Sequence, residues 1–285
     1  MKLSIMKKIA VFLVPMIFSV LIGCNYTSSH SKSKETVNSE TTSYLSSEQD
    51  KQGGEKNSAA EIMAKPQVPV LCYHRITTGR NDEYTVTPSA FSAQMQILKD
   101  SGYNSVNPDQ LYDYLVYNKS LPEKPFMITF DDSRVEHALI AAPEMEKRGF
   151  HGVFFIMTIT YNKKNYMTTE QIAGLAKSGH SIELHSWDHT MATKYLADSV
   201  AMKQIIKPRE KLESITGKKV EYFAYPYGIT NHETSTAMNK YFKLSFILST
   251  KRDSIEPLQT VRRMIVPSGW TPGGMLNAMH KTFRN

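Results

Sequence analysis

An apolar run ends in two adjacent carboxylates at Ile128-Thr129-Phe130-Asp131-Asp132-Ser133. Successive residues of a strand face opposite ways, and neighbouring acids oppose each other's ionisation. The pair makes chemical sense only where the strand stops and the chain turns, so that both carboxylates reach one site. Further along, His185-Ser186-Trp187-Asp188-His189 places two imidazoles four residues apart. Two imidazoles and one carboxylate form an open site for a divalent metal, with positions left for water or substrate. The second carboxylate is then free to take a proton, and the ion offsets the repulsion between the acids.

Other polar residues sit where strands should end. His74 and Arg75 follow Val68-Pro-Val-Leu-Cys-Tyr73; Pro226, Tyr227 and Gly228 follow Tyr222-Phe-Ala-Tyr225; Arg262 and Arg263 lie in Val261-Arg-Arg-Met-Ile-Val266. Taken singly, each is ordinary: a turn, a helix cap, a solvated edge. Their common position at strand ends makes them a set.

The elements that must position them alternate. Residues 125–132 form a continuous apolar stretch of the kind buried on both faces of a parallel sheet. Strand-like runs also occur at 68–74, 152–158, 181–186, 220–228, 244–249 and 261–267, separated by helical patterns. One of these, 198–217, is predicted to kink at Pro208. Seven or eight βα units imply an α/β fold, a distorted (β/α)7–8 barrel forming a single catalytic domain, with a doubly wound open sheet as the alternative. In such a barrel, functional groups gather at the C-terminal ends of the strands.

The N-terminal residues are of another kind. Lys2, Lys7 and Lys8 precede an uncharged run of about 15 residues ending in Leu21-Ile-Gly-Cys24, short of the roughly 20 that span a membrane. The ending resembles a bacterial lipobox. It implies cleavage before Cys24, lipid on its sulfur, and an exported protein anchored to the membrane, facing the periplasm or cell surface. Residues 1–23 are thus read as a lipoprotein signal peptide, 24–65 as a flexible Ser/Thr-rich tether and 66–285 as the folded domain. The tether is too poor in apolar residues to offset its ordering entropy. With Cys24 lipidated, Cys72 has no partner, which excludes a disulfide-stapled fold. The net charge of +7 is scattered and accompanied by no nucleic-acid motif. A monomer is expected.

Taken in order and spacing, Thr129-Phe-Asp-Asp-Ser133, His185–His189 and Ala224-Tyr-Pro-Tyr-Gly228 resemble the first three motifs of the polysaccharide deacetylases, the NodB-type carbohydrate esterases of family 4. That resemblance implies hydrolysis of N-acetyl groups from an N-acetylhexosamine polymer. It implies Asp131 as general base, with Asp132, His185 and His189 holding a divalent ion, zinc or else cobalt or nickel. The Tyr227 backbone N–H would face the oxyanion. Trp187, Tyr225 and Pro226 would contact the sugar. Three departures qualify it: no Arg precedes Pro226, the usual fourth motif with its Asp-Trp ending is not evident, and neither is a late Leu-x-His element, although His280 lies in Met275–Lys281. The runs Val70–Ile76 and Ala224–Gly228 look more like the poly-β-1,6-N-acetylglucosamine deacetylases of biofilms, which implies His74 as general acid and Arg263 as the partner of Asp131. The alternatives are a peptidoglycan, chitin-oligomer or O-acetylated-glycan esterase, or a glycan-binding lipoprotein without activity.

Overall fold

Seven short parallel strands make the frame: β1 (Val70–Tyr73), β2 (Pro125–Phe130), β3 (Val153–Ile156), β4 (Ser181–Leu184), β5 (Tyr222–Ala224), β6 (Leu244–Ile247) and β7, whose two halves are Val261–Arg262 and Met264–Ile265. This is a computed structural model, which describes residues 55–80, 82–248 and 252–284. Cys24, its signal peptide and most of the proposed tether lie outside the described residues.

β7 is what turns the sheet into a barrel. Its first half pairs with β6 (Val261↔Phe246, Arg262↔Ile247), and its second half pairs with β1 (Leu71↔Met264, Cys72↔Ile265). Between these edges the order runs β6, β5, β4, β3, β2, β1, with every neighbouring pair parallel. One five-residue segment therefore joins both edges, with Arg263 at the seam. The expected barrel is the observed fold, nearly closed, and not an open doubly wound sheet.

Alternation along the strands sorts the core into two sets. Val70, Met127, Val153, Phe155, Tyr222, Ala224, Leu244 and Phe246 share one cluster with Leu111 and Leu115 of α3 (Pro108–Tyr117). Leu71, Tyr73, Ile128, Phe130, Phe154, Ile156 and Phe223 lie in the other, beneath the outer helices. Because β1, β2 and β3 are buried on both faces, their sequences read as unbroken apolar runs.

The tether reading fails at its C-terminal end. Residues Ala59–Ala64 form helix α1, capped by Ser58 and Glu61 in a reciprocal box. Ile62 is buried against the α3 cluster, and the Asn57 side chain donates to Leu115 O at 2.8 Å. A single apolar anchor and a cap order a stretch whose average composition is polar.

The predicted kink at Pro208 takes a particular form. A π turn (Met202–Ile206) precedes α7 (Lys207–Thr216), with Pro208 in its first turn. The same device, a π turn at His137–Ala141, precedes Pro143 in α4 (Ala142–Glu146). Proline cannot donate to the carbonyl one turn back, and a wider turn accommodates the break.

Candidate active site

β2 delivers Asp131 to the rim with its side chain on the same face as Met127 and Thr129. The chain then turns sharply: Asp132 and Ser133 adopt φ of 74° and 58°. This left-handed turn swings the Asp132 carboxylate back over the strand end, so neighbouring acids meet at one site. Such φ values cost non-glycine residues about 1–3 kcal/mol each, and the turn is tied down accordingly. The Ser133 hydroxyl accepts the Met157 N–H at 2.7 Å, and its carbonyl accepts the Met167 N–H at 3.0 Å. Ser186, His189 and Tyr227 also have positive φ. Strain is thus concentrated where the strands end.

Gly228 secures the third loop. Its φ is +66°, and a Cβ there would lie 2.2 Å from Leu248 Cβ, so only glycine lets the Tyr227 turn close against β6.

Asp131 is 1% exposed and held by Arg263 through two parallel hydrogen bonds, of 2.7 and 2.8 Å. Arg263 also donates to Thr129 Oγ1 at 3.2 Å and lies over the Phe155 ring. Burial alone would push the Asp131 carboxyl up. The guanidinium overcomes it and holds the group well below the usual carboxylate range. His74 Nε2 lies 3.9 Å from Asp131 Oδ2, and the His74 ring packs edge-on against Tyr84.

On the open side, Asp132 Oδ1 lies 3.7 Å from His185 Nε2 and 3.6 Å from His189 Nε2. Donor atoms at these separations can all reach a common centre at about 2.0–2.2 Å. His185 Nδ1 donates to the Ala224 carbonyl at 2.7 Å, which leaves the Nε2 lone pair facing the site. Burial lowers the His185 pKa to about 3, so the ring stays neutral, as a ligand must be. Burial, reinforced by the charge of Asp131, raises Asp132 to about 6; a cation among the three would reverse that. The set fits a divalent ion. A second group, Cys72, His74 and Asp131, is also close, but burial drives the Cys72 thiol far above its ordinary range and Asp131 is committed to Arg263. It is not a competing metal site.

Not every residue singled out belongs to the rim. Tyr225 is fully buried, its ring edge-on to Phe223, so it is core rather than a sugar contact: the turn that exposes Tyr227 points its neighbour inward. Pro226 is likewise buried and shapes that turn from within. Arg262 faces away, donating to Thr282 O, because adjacent β7 residues point oppositely. Tyr227 is 58% exposed and sits edge-on to His189, with centroids 4.4 Å apart. Trp187 is half-buried beneath Lys203. His280 bonds Tyr103 at 2.7 Å, and Tyr103 packs on Phe126 near the start of β2. That is the far end of the strand from Asp131, five residues or about 16 Å away.

Three supporting residues escaped the sequence reading. Thr129 anchors Arg263, Ser186 Oγ accepts the His189 N–H at 2.9 Å, and His137 Nε2 contacts the His74 carbonyl. Thr129 was discernible as a lone polar residue in an apolar strand. His137 carried no signal, since only the fold brings the π turn at His137–Ala141 beside the end of β1.

Removing one partner of a buried pair strands the other charge. Arg263→Met should lower stability by about 3–5 kcal/mol and move the acidic limb of the pH–rate profile to higher pH as Asp131 loses its guanidinium. Adding Asp131→Asn should recover stability but not activity; urea denaturation and rate profiles check both. A second expectation concerns acid. The unfolded chain protonates its imidazoles near pH 6.5, whereas buried His137 and His185 resist until about 4 and about 3. The unfolded state therefore binds more protons in that window, and stability falls as pH drops below about 6.5. Each unit removes about 1.4 kcal/mol per such imidazole. Urea midpoints of chelator-treated protein between pH 8 and pH 5 test it, with His137→Asn giving the shallower slope.

The chain is similar to known proteins. Residues 118–242, which include all three motif loops, match the family model described as polysaccharide deacetylase. YxkH of Bacillus subtilis (strain 168) is 29% identical over 174 residues, 61% of either chain, so this chain spans under two thirds of that relative. The poly-β-1,6-N-acetyl-D-glucosamine N-deacetylase of Staphylococcus epidermidis is 26% identical over 204 residues, covering 65% of this chain and 70% of that one. Streptococcus pyogenes deacetylase PplD, solved with acetate, superposes with a TM-score of 0.69 at 22% identity, covering 78% of this chain and 100% of that one, a likeness of fold. The loops that assemble the acids and imidazoles all lie within the stretch that matches the polysaccharide deacetylase domain of the NodB/CE4 type, and the barrel extends beyond that match on both sides.

Proposed function

We propose that the protein hydrolyses N-acetyl groups from an N-acetylglucosamine-containing polysaccharide, releasing acetate. The observation that carries this is the division of labour between the two acids: Asp131 clamped by Arg263, Asp132 facing two neutral imidazoles. A divalent ion held by Asp132, His185 and His189, zinc by donor type, would polarise the acetamide carbonyl and make water acidic enough to give up a proton near neutrality. Asp131, ionised and fixed, accepts the proton from the attacking water. His74, whose Nε2 lies 3.9 Å from Asp131 Oδ2, protonates the departing amine. The Tyr227 N–H, presented by its positive-φ turn, faces the developing oxyanion; such a donor contributes about 3–4 kcal/mol. Trp187 and the exposed Tyr227 ring offer the sugar its apolar surfaces.

The Staphylococcus epidermidis relative and the position of His74 make poly-β-1,6-N-acetylglucosamine the first polymer to assay. Acetate release across that polymer, chitin oligomers and peptidoglycan, with and without chelator, tests the assignment; full activity after metal stripping would end it. His74→Ala should lose roughly 10²–10⁴-fold in kcat with metal content unchanged, while His280→Ala should behave as wild type. The opposite pattern would remove His74 from the mechanism.

We also propose that Cys24 is the lipidated mature N-terminus and holds a monomeric domain at the membrane surface. Among the described residues no helix is long and apolar enough to cross a membrane. Mass spectrometry of detergent-extracted protein should find acyl chains on Cys24; an unmodified N-terminus downstream of it would exclude the anchor.

A further inference from the structure

β1 does not simply stop at His74. The chain continues into a second, two-residue parallel ladder, Arg75–Ile76 against Thr85–Val86, in register Arg75↔Thr85 and Ile76↔Val86. The Arg75 N–H donates to the Tyr84 carbonyl at 2.9 Å, and the Thr77 N–H to the Val86 carbonyl at 3.0 Å. Thr85 and Val86 are buried, yet Tyr84, one residue earlier, is 43% exposed. A turn built on Asp82 fixes it there. Asp82 Oδ1 accepts the Tyr84 N–H and Oδ2 the Arg80 Nε–H, both at 3.0 Å. The Asp82 carbonyl accepts the Ser268 N–H at 3.4 Å. Ser268 follows β7, so Tyr84 is tied to the segment that carries Arg263.

A large ring left half in water at a fixed position adds little to stability, because burial is what an aromatic gains from folding. What the Tyr84 ring touches is His74, with centroids 5.2 Å apart and planes at 73°. The imidazole has two other close neighbours: Cys72 Sγ lies 3.9 Å from Nδ1, and Asp131 Oδ2 lies 3.9 Å from Nε2. Cys72 and Asp131 are enclosed; of the three neighbours, Tyr84 is the one that a substrate can reach. Tyr227 stands edge-on against His189 in the same manner. Exposed tyrosines therefore occupy the two ends of one row of contacts, His74 to Asp131 to His185 to His189. A sugar reacting over that row reaches Tyr227 on the metal side. On the acid side, the Tyr84 ring meets the next sugar of the chain.

Resting on the deacetylase reading above, we infer that Tyr84 is the platform for the sugar adjoining the reacting one and a positioning residue for His74. A sugar packed on the open side of the ring presses the ring against His74, and the imidazole is then held beside Asp131 and the departing amine. Binding of a non-reacting sugar thus orients the general acid. Interactions of that kind appear in kcat as well as in KM, so truncated substrates turn over more slowly.

The experiment measures acetate release by the full chain from two substrates. One is the methyl glycoside of N-acetylglucosamine, which has no adjoining sugar; the other is a β-1,6-linked N-acetylglucosamine tetrasaccharide. Wild type, Tyr84→Phe and Tyr84→Leu are compared, each with its metal content and urea midpoint measured. The wild-type kcat should be ~10²-fold higher on the tetrasaccharide. Tyr84→Phe keeps that ratio because it keeps the ring. Tyr84→Leu brings the ratio close to one with metal content unchanged. A ratio near one in wild type, a high ratio that survives in Tyr84→Leu, or a ratio in Tyr84→Phe as low as in Tyr84→Leu would overturn the inference. Acetate release from neither substrate by any of the chains would defeat the deacetylase reading instead. The fluorescence of Tyr84→Trp then still decides the platform: a change on adding tetrasaccharide that wild type does not show upholds it, and no such change overturns it. The same readout replaces the kinetics if Tyr84→Leu loses its metal or its fold.

Discussion

The bidentate contact between Arg263 and Asp131 is the interaction on which the site and the closure of the barrel both depend. Asp131 follows β2 directly, Arg263 sits at the seam of β7, and among the described residues β7 is the one segment that bonds both edges of the sheet. Two charges in a nearly water-free interior are tolerated only because they satisfy each other, with Thr129 taking a further N–H. The pair therefore does two things at once. It keeps a buried carboxylate ionised, and it pins a strand whose ladder is two register pairs long on either side.

Around that pair the rim is held in conformations the backbone disfavours. Asp132, Ser133, Ser186, His189 and Tyr227 all lie in the left-handed region. Bonds and contacts around them offset that cost: Ser133 to Met157, Ser186 to His189, the Tyr227 ring to His189, and the neighbouring Gly228 carbonyl to Leu248. The cost of the turns and the precision of the donor atoms are two views of one fact. A carboxylate and two imidazoles pointing at a common centre cannot be supplied by ideal strand ends alone.

Electrostatically, the site separates two jobs by burial. Asp131 is fully enclosed and compensated by a permanent cation; Asp132 is closer to solvent and uncompensated by the chain, so it invites one. The imidazoles are neutral because desolvation disfavours their charged form.

The sequence by itself determined the frame and most of the chemistry. Unbroken apolar runs marked strands buried on both faces, acids and imidazoles at their ends marked the rim, and Ser133-type turn residues allowed adjacent carboxylates to converge. It could not determine which neighbours face inward. Tyr225 and Tyr227, two residues apart and equally aromatic, differ completely because a left-handed turn exposes one and the core takes the other. Arg262 and Arg263 part company for the same reason, opposite sides of one strand. Helix α1 was hidden because its order comes from Ile62 docking against α3, a contact nearly fifty residues away in the chain. His280 looked as eligible as His74 until α9 (Pro272–Thr282) was seen to pack at the opposite end of β2. Residue type and spacing are local properties and can be read in order; facing, burial and the choice between two distant histidines are set only when the sheet closes.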